Sequence, residues 1–165
     1  MMQPAYIGLG ANQGDARETL EAALEALRVL EKSELVAVSP FYLSAPIEAE
    51  GPDFLNAVAR LDTALEPYAL LLHLLDLELM LGRKRRGAKR NAPRSVDLDL
   101  LLYGAVSLQS APLTLPHPRM HQRAFVLRPL ADLAPGLLVP QQGRVEALLA
   151  AVADQRVEPC PAPSA

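Results

Sequence analysis

Cysteine is nearly absent: Cys160 is the single thiol in 165 residues. That excludes a disulfide framework and a thiolate metal site. There is no tryptophan, and aromatic residues make up only 4% of the chain. None of them lies in the basic run 83–94, where a nucleic-acid module would use rings to stack bases. No window approaches the roughly 18–20 apolar residues of a membrane-spanning helix. The N-terminal stretch MMQPAYIGLG has neither a basic region nor a long apolar run, so no signal peptide is expected. The expected location is therefore the cytoplasm. The net charge is −3 and the pI about 5.6. An acidic chain has no overall field that would gather nucleic acid.

What is present suits a single folded unit. Half of the residues are hydrophobic and about a fifth charged, and 165 residues are enough for a proper core. The expected division is one domain over residues 1–157 and a disordered Pro-rich tail over 158–165. Residues 4–9 read as a short strand, followed by a glycine-containing turn with Asp15 as helix N-cap. The spacing of Gly8, Gly10 and Gly14 fits neither the dinucleotide fingerprint nor the P-loop. Gly10 would let a ligand come close to the backbone. Leu20, Ala23, Leu24, Leu27 and Leu30 recur at helical spacing. Residues 34–39 alternate like a strand, and the stretch SPFYLSAPIEAEGPD reads as a long loop. From Phe54 to Ala64, Leu55, Ala57, Ala59 and Leu61 share one face, with Asn56, Val58, Arg60 and Asp62 on the other. Pro67 opens a leucine-rich helix that Gly82 is expected to end. Residues 108–115 read as a weak strand, 124–133 as a helix interrupted at Pro129, and 145–152 as a short helix. His117 and His121 are four apart, but Pro118 lies between them and no third ligand is evident, which argues against zinc. The element order gives an α+β sandwich with a mainly antiparallel sheet, helices on one face and loops flanking the other.

The stretch from Arg83 to Gly104, RKRRGAKRNAPRSVDLDLLLYG, carries the chemistry. Its first half is basic, with no carboxylate from Leu79 through Val96. Its second half is an apolar strand holding Asp97 and Asp99. On a strand these two point to one face, roughly 6–7 Å apart. Two such carboxylates repel each other, and a divalent cation removes that cost. Mg²⁺ prefers carboxylate oxygen and completes its shell with water and substrate phosphates. Guanidinium forks upstream suit the phosphates. From these residues alone three readings stay open: metal-dependent phosphoryl chemistry, a nucleic-acid patch on the 83–94 basic loop, and a solvated strand edge beside a solubilising loop. Taken singly, Phe54 and Phe125 read as core aromatics, Asn56 as a loop cap and Arg123 as a surface ion-pair partner.

Three segments together change that balance. They are YIGLGANQGD, FYLSAPIEAEGPDFLNAVARLDT, and LGRKRRGAKRNAPRSVDLDLLLYG followed by LPHPRMHQRAFVLRPL. In order and spacing they resemble the 6-hydroxymethyl-7,8-dihydropterin pyrophosphokinases of folate biosynthesis, over about Ala5 to Pro140. The resemblance implies a ferredoxin-like α+β fold and transfer of pyrophosphate from ATP to the pterin hydroxymethyl oxygen, with AMP leaving. It implies two Mg²⁺ ions on Asp97 and Asp99, with Arg83, Arg94, His117 and Arg123 on the phosphates and Glu78 near the nucleotide. It implies a pterin ring between Phe54 and Phe125, its polar edge met by Asn56 and Ser44 with help from backbone near Gly10, Ala45 and Ile47. Arg83 and Arg94 would act with the two aspartates in catalysis. The loops 10–15, 45–52 and 83–94 would close over the substrates. Asn91 and Pro118 depart from the family pattern, where many members carry a tryptophan and some a tyrosine. The expected partners are small molecules, ATP and the pterin, with no nucleic acid, no membrane and no obligate protein partner. A related nucleotide-dependent kinase acting on another heterocycle is the neighbouring alternative.

Overall fold

The computed structural model describes residues 1–12, 15–46, 51–88 and 96–160, the side chains of 83–88 excepted. Its centre is an antiparallel sheet of six strands: β1 (Gln3–Ala11), β2 (Ser33–Val38), β3 (Tyr42–Ser44), β4 (Phe54–Thr63), β5 (Asp97–Tyr103) and, last in the chain, a strand at Val157–Pro159. The path across the sheet is Val157–Pro159, β3, β4, β1, β5, and β2 also pairs with β4. The side chains of β1 and β4 alternate between two covered faces, and both strands are largely buried.

One face packs on α1 (Ala16–Arg28) and α2 (Pro67–Ala88). Ile7, Leu9, Leu55, Ala57, Ala59, Leu61, Leu98 and Leu100 meet Leu20, Leu24 and Leu27 from α1 and Leu70, Leu74 and Leu77 from α2 in one apolar cluster. Burying each leucine contributes roughly 1.5–3 kcal/mol. The Asp15 carboxylate caps α1 by accepting the Glu18 N–H at 3.0 Å, as the sequence predicts. Pro67 is the first residue of α2, where its missing N–H costs nothing.

The other face is only partly covered. Tyr6, Val58, Leu101 and Leu102 pack against α3 (Ala124–Leu133) and the short helix α4 (Val145–Ala151), with Leu127 and Leu130 fully buried. Among the described residues that covers the Tyr6 end of β1 and leaves the Gly10 end open. Between β5 and α3 lie two hairpinned two-residue strands, β6 (Leu108–Gln109) and β7 (Thr114–Leu115), a cis Leu115–Pro116 bond and a single helical turn at Met120–Gln122. A second small hairpin, β8 (Leu138–Val139) with β9 (Gly143–Arg144), leads into α4. The closing strand Val157–Pro159 is β10.

Several expectations change. Gly82 does not end α2, which continues to Ala88. An internal glycine costs a helix only about 1 kcal/mol, and the Arg and Lys residues that follow are good helix formers. The first strand, expected to end at residue 9, runs on to Ala11, so Gly10 lies inside β1 rather than in a turn. The long loop after residue 39 contains β3, whose three residues are too few to show alternation. Helices cover both sheet faces rather than one. The start of the expected tail 158–165 lies in a strand: Val157, Glu158 and Pro159 pair with Ser44, Leu43 and Tyr42, and residues 161–165 lie outside the described residues. Pro159 is tolerated because this strand lies at the sheet edge.

Candidate active site

The open end of the second face becomes a recess because of β1. Cross-strand partners share a face, and the register aligns Asp97, Gly10, Asn56 and Tyr42 in one row across β5, β1, β4 and β3. The next row aligns Asp99, Gly8 and Val58. Glycine at both β1 positions removes the side chains that would fill the middle of the floor. A Cβ added at Gly10 would lie 3.1 Å from the Asn56 amide nitrogen. The β1 backbone is thus bare between an acid-bearing strand and an amide-bearing one, whose Cα traces are roughly 10 Å apart across two strand spacings.

The resulting cavity has a volume of about 810 Å³. It brings together Gly10, Ser44, Ala45, Phe54, Asn56, Asp97, Asp99, Arg123 and Phe125, nine of the residues singled out by sequence. Their contacts are specific. The Ser44 hydroxyl donates to the Asn56 amide oxygen at 2.6 Å. Both residues are buried, so this bond fixes the amide's orientation and aims its nitrogen at the floor. Phe54 and Phe125 are half-buried, Phe125 reaching the recess from the first turn of α3. The Arg123 guanidinium carbon lies 5.6 Å from the Phe125 ring centre, a cation–π distance.

The acidic wall is electrostatically tense. Burial pushes the Asp97 carboxyl above its ordinary value, the Asp99 charge pushes it further, and Arg123 pulls it back. Asp97 retains exposed surface even so. Glu78 on α2 accepts the Leu98 N–H at 2.7 Å, so its carboxylate sits at the outer edge of β5 between the two aspartates. Burial raises its pKa as well; the Leu98 bond lowers it, and the charges of Asp97 and Asp99 add to the rise. His117 is placed by its own N–H donating to the Leu101 carbonyl at 2.9 Å. Its ring nitrogen Nδ1 accepts the Arg119 N–H at 3.2 Å. Burial lowers the His117 pKa; Asp99 opposes this, and Arg123 and Arg119 add to it. His117 lines a neighbouring recess of about 530 Å³ beside Thr114, Pro116 and Pro118, and Glu78 stands behind β5, so neither lines the main cavity.

Arg94, Ile47 and Asn91, and the side chain of Arg83, lie outside the described residues, as do residues 89–94 of the expected closing segment 83–94. The sequence reading missed Arg119, Gln122 and Gln155, which also line the cavity. Arg119 was legible as part of the P-H-P-R-M run. Gln155 carried no signal, because its place depends on where the chain returns after α4. Among the described residues no group of three or more His, Cys, Asp or Glu side chains converges as a metal site.

A six-stranded antiparallel sheet with helices on both faces and an acid-lined recess over a glycine floor is a ferredoxin-like α+β architecture. The profile of the 7,8-dihydro-6-hydroxymethylpterin-pyrophosphokinase family matches residues 6–135. The chain belongs to that family. It is 46% identical over 162 residues to the 2-amino-4-hydroxy-6-hydroxymethyldihydropteridine pyrophosphokinase of Pseudomonas aeruginosa, covering 98% of this chain and 99% of that protein. It is 41% identical to the enzyme of the same name from Haemophilus influenzae, covering 94% and 97%. In structure it resembles the Plasmodium falciparum HPPK-DHPS A437G/K540E crystal structure with pterin and p-hydroxybenzoate. The TM-score is 0.71 at 12% identity, over 93% of this chain and 44% of that one. The chain therefore spans under half of that longer protein. Among the described residues no helix is long and apolar enough to cross a membrane.

Proposed function

We propose that this chain transfers the β,γ-pyrophosphate of ATP to the hydroxymethyl oxygen of 6-hydroxymethyl-7,8-dihydropterin and releases AMP, as a step of folate biosynthesis. The observation that carries the reading is the row Asp97–Gly10–Asn56 across three neighbouring strands. It offers a flat heterocycle an amide and aromatic side chains at one end and the triphosphate an acid pair at the other. The pterin lies over the bare backbone of Gly10, between Phe54 and Phe125. Stacking of this kind contributes about 0.5–1.5 kcal/mol beyond area burial. Asn56, held by Ser44, matches the donors and acceptors of the ring edge, with backbone near Ala45 and Ile47 completing it.

Mg²⁺ fits the acid pair. Such an ion needs only one or two protein carboxylates when phosphates and water supply the rest, which agrees with the small donor set of Asp97 and Asp99. In this reading the two aspartates would hold two ions, and Mg²⁺ would supply neutralisation of the triphosphate charge when bound. The chain's own residues do the positioning. Arg123 enters from the α3 side to meet phosphate oxygens, and His117, beside Asp99, meets them from the adjoining recess. Arg83 and Arg94 complete the cationic side. Glu78 fixes the edge of β5 so that Asp97 and Asp99 keep their common direction. Catalysis then rests on alignment and charge neutralisation at the β-phosphorus. The substrates are small molecules, and the use of ATP is the ground for placing the enzyme in the cytoplasm.

The test is product analysis with ATP, Mg²⁺ and the pterin, beside an Asp97→Ala variant. AMP and a pyrophosphorylated pterin, lost in the variant, are expected. ADP instead of AMP would mean attack at the γ-phosphorus and a different kinase. No turnover by folded protein would reject the assignment.

A further inference from the structure

The recess depends on a segment that the family match, ending at residue 135, does not include. After α4 the chain returns to the site at Gln155. The Gln155 side-chain oxygen accepts the Ala124 N–H at 2.9 Å, and its nitrogen donates to the Gln122 carbonyl at 2.8 Å. These two bonds straddle Arg123. They also fill a local gap: Arg123 is the N-cap residue of α3, and its side chain makes no capping bond. A helix start leaves several N–H groups without partners; here a residue 31 positions away satisfies the first. Gln155 itself lines the cavity.

The same return reaches the opposite wall. Val157 pairs with Ser44, the residue that orients Asn56. Arg156 meets Asp53, the neighbour of Phe54, at 2.7 Å. That ion pair is solvent-exposed and contributes little by itself. The strand pairing and the two Gln155 bonds are the stronger ties. Five consecutive residues, 155–159, thus join the α3 wall, with Arg123 and Phe125, to the β3 wall, with Ser44.

We infer that Gln155 is a positioning residue for the pterin side of the recess: by capping α3 from the C-terminal segment it fixes the spacing of Phe125 and Arg123 against the wall of Ser44 and Asn56. The inference rests on the pyrophosphokinase reading for the identity of the ligand. The amide is suited to the task because it must accept at one end and donate at the other. A carboxylate would face the Gln122 carbonyl with like polarity, and a methionine of the same length would make neither bond.

The experiment measures pterin binding in the presence of a non-hydrolysable ATP analogue, and analogue binding alone, for the wild type, Gln155→Met and Gln155→Glu. Loss of one helix cap corresponds to about a five- to tenfold change in an equilibrium. Gln155→Met is expected to weaken pterin binding by about tenfold and analogue binding by less, about two- to threefold through Arg123. Gln155→Glu, which keeps the bond from Ala124, is expected to fall between them. A role in stability alone would lower the melting temperature and leave both affinities of the folded protein unchanged; that result, or an equal loss of both affinities, overturns the inference. Should Gln155→Met not fold, Gln155→Glu answers the question by the same criterion. A wild type that binds no pterin would overturn the pyrophosphokinase reading itself and this inference with it. Normal wild-type binding with unaltered variants overturns the inference alone.

Discussion

At the scale of single residues, the acidic wall sets function against stability. Asp97 and Glu78 are both raised above ordinary carboxyl values, chiefly by burial. A raised carboxyl pKa means that the folded chain holds its proton more tightly than the unfolded chain does. Folding is then disfavoured as pH rises above the unfolded value, because a charge must be kept in a poor environment. Glu78→Gln removes one such charge and keeps an oxygen for the Leu98 N–H. Its expected effect at neutral pH is a ligand-free protein more stable by about 1 kcal/mol, read as a rise of about 2–4 °C in melting temperature. Turnover should fall modestly, because a neutral amide holds the Leu98 N–H less strongly than the carboxylate does, and the strand edge carrying Asp97 and Asp99 is fixed less firmly. Asp97→Asn should show the same exchange more sharply: a modest gain in stability and a loss of about 10²–10³-fold in turnover, the scale found when one group that meets developing charge is removed. Calorimetry and product release on the same preparations check both. A destabilised, fully active Asp97→Asn would show that the aspartate is structural.

At the scale of elements, the floor of the recess is a strand defined by what it lacks. Gly10 pairs with Asn56 on one side and Asp97 on the other. Its backbone requires no left-handed conformation, so the need for glycine is one of space. Gly10→Ala places a methyl group 3.1 Å from the Asn56 amide nitrogen, and the amide must move off its bond from Ser44 or lean into the pterin space. Pterin affinity should fall by about tenfold, a cost near 1.4 kcal/mol, while the melting temperature changes by only a few degrees. Isothermal titration of the folded variant decides this, and unchanged affinity would place the ring elsewhere. The acid pair was legible from the residues themselves, as carboxylates within a leucine-rich strand; Asn56, Phe54 and Phe125 were marked only by the family resemblance, because singly they read as a loop cap and core aromatics. The span of β1 was not legible, since glycines usually mark turns and here mark a floor. Nor was the length of α2 beyond Gly82, where the helix propensity of the following Arg and Lys residues outweighs one glycine. Gln155 and β10 were not legible either, because pairing at a sheet edge is a tertiary event that three residues ending in a proline do not announce.

At the scale of the whole molecule, two tyrosines tie the layers together and are expected to contribute to its loss of stability at alkaline pH. The Tyr42 hydroxyl donates to the Asp132 carboxylate on α3 and accepts from the Arg128 Nε at 3.3 Å, linking β3 to the helix above it. The Tyr103 hydroxyl donates to the Leu65 carbonyl at 2.6 Å, linking β5 to the turn before α2. Burial raises both phenols above their usual value; the bond to Asp132 raises Tyr42 further, despite Arg128, and the Glu66 charge raises Tyr103. The unfolded phenol releases its proton near pH 10. Between that value and the higher folded one, the unfolded state has lost protons that the folded state keeps, so stability falls as pH rises. Below about pH 10 both phenols are protonated in either state, and their contribution is fully present. The expected result is a denaturation midpoint that is flat with respect to tyrosine ionisation up to about pH 9 and declines beyond about pH 10. Tyr42→Phe and Tyr103→Phe should each lower stability at neutral pH by about 0.5–1.5 kcal/mol, the net value of one hydrogen bond. Each should also make the alkaline decline shallower, because one proton no longer separates the two states. Urea titrations of the three proteins across that range check the slope. If both variants decline as steeply as the wild type, the alkaline limit belongs to other groups, and the phenols serve packing alone.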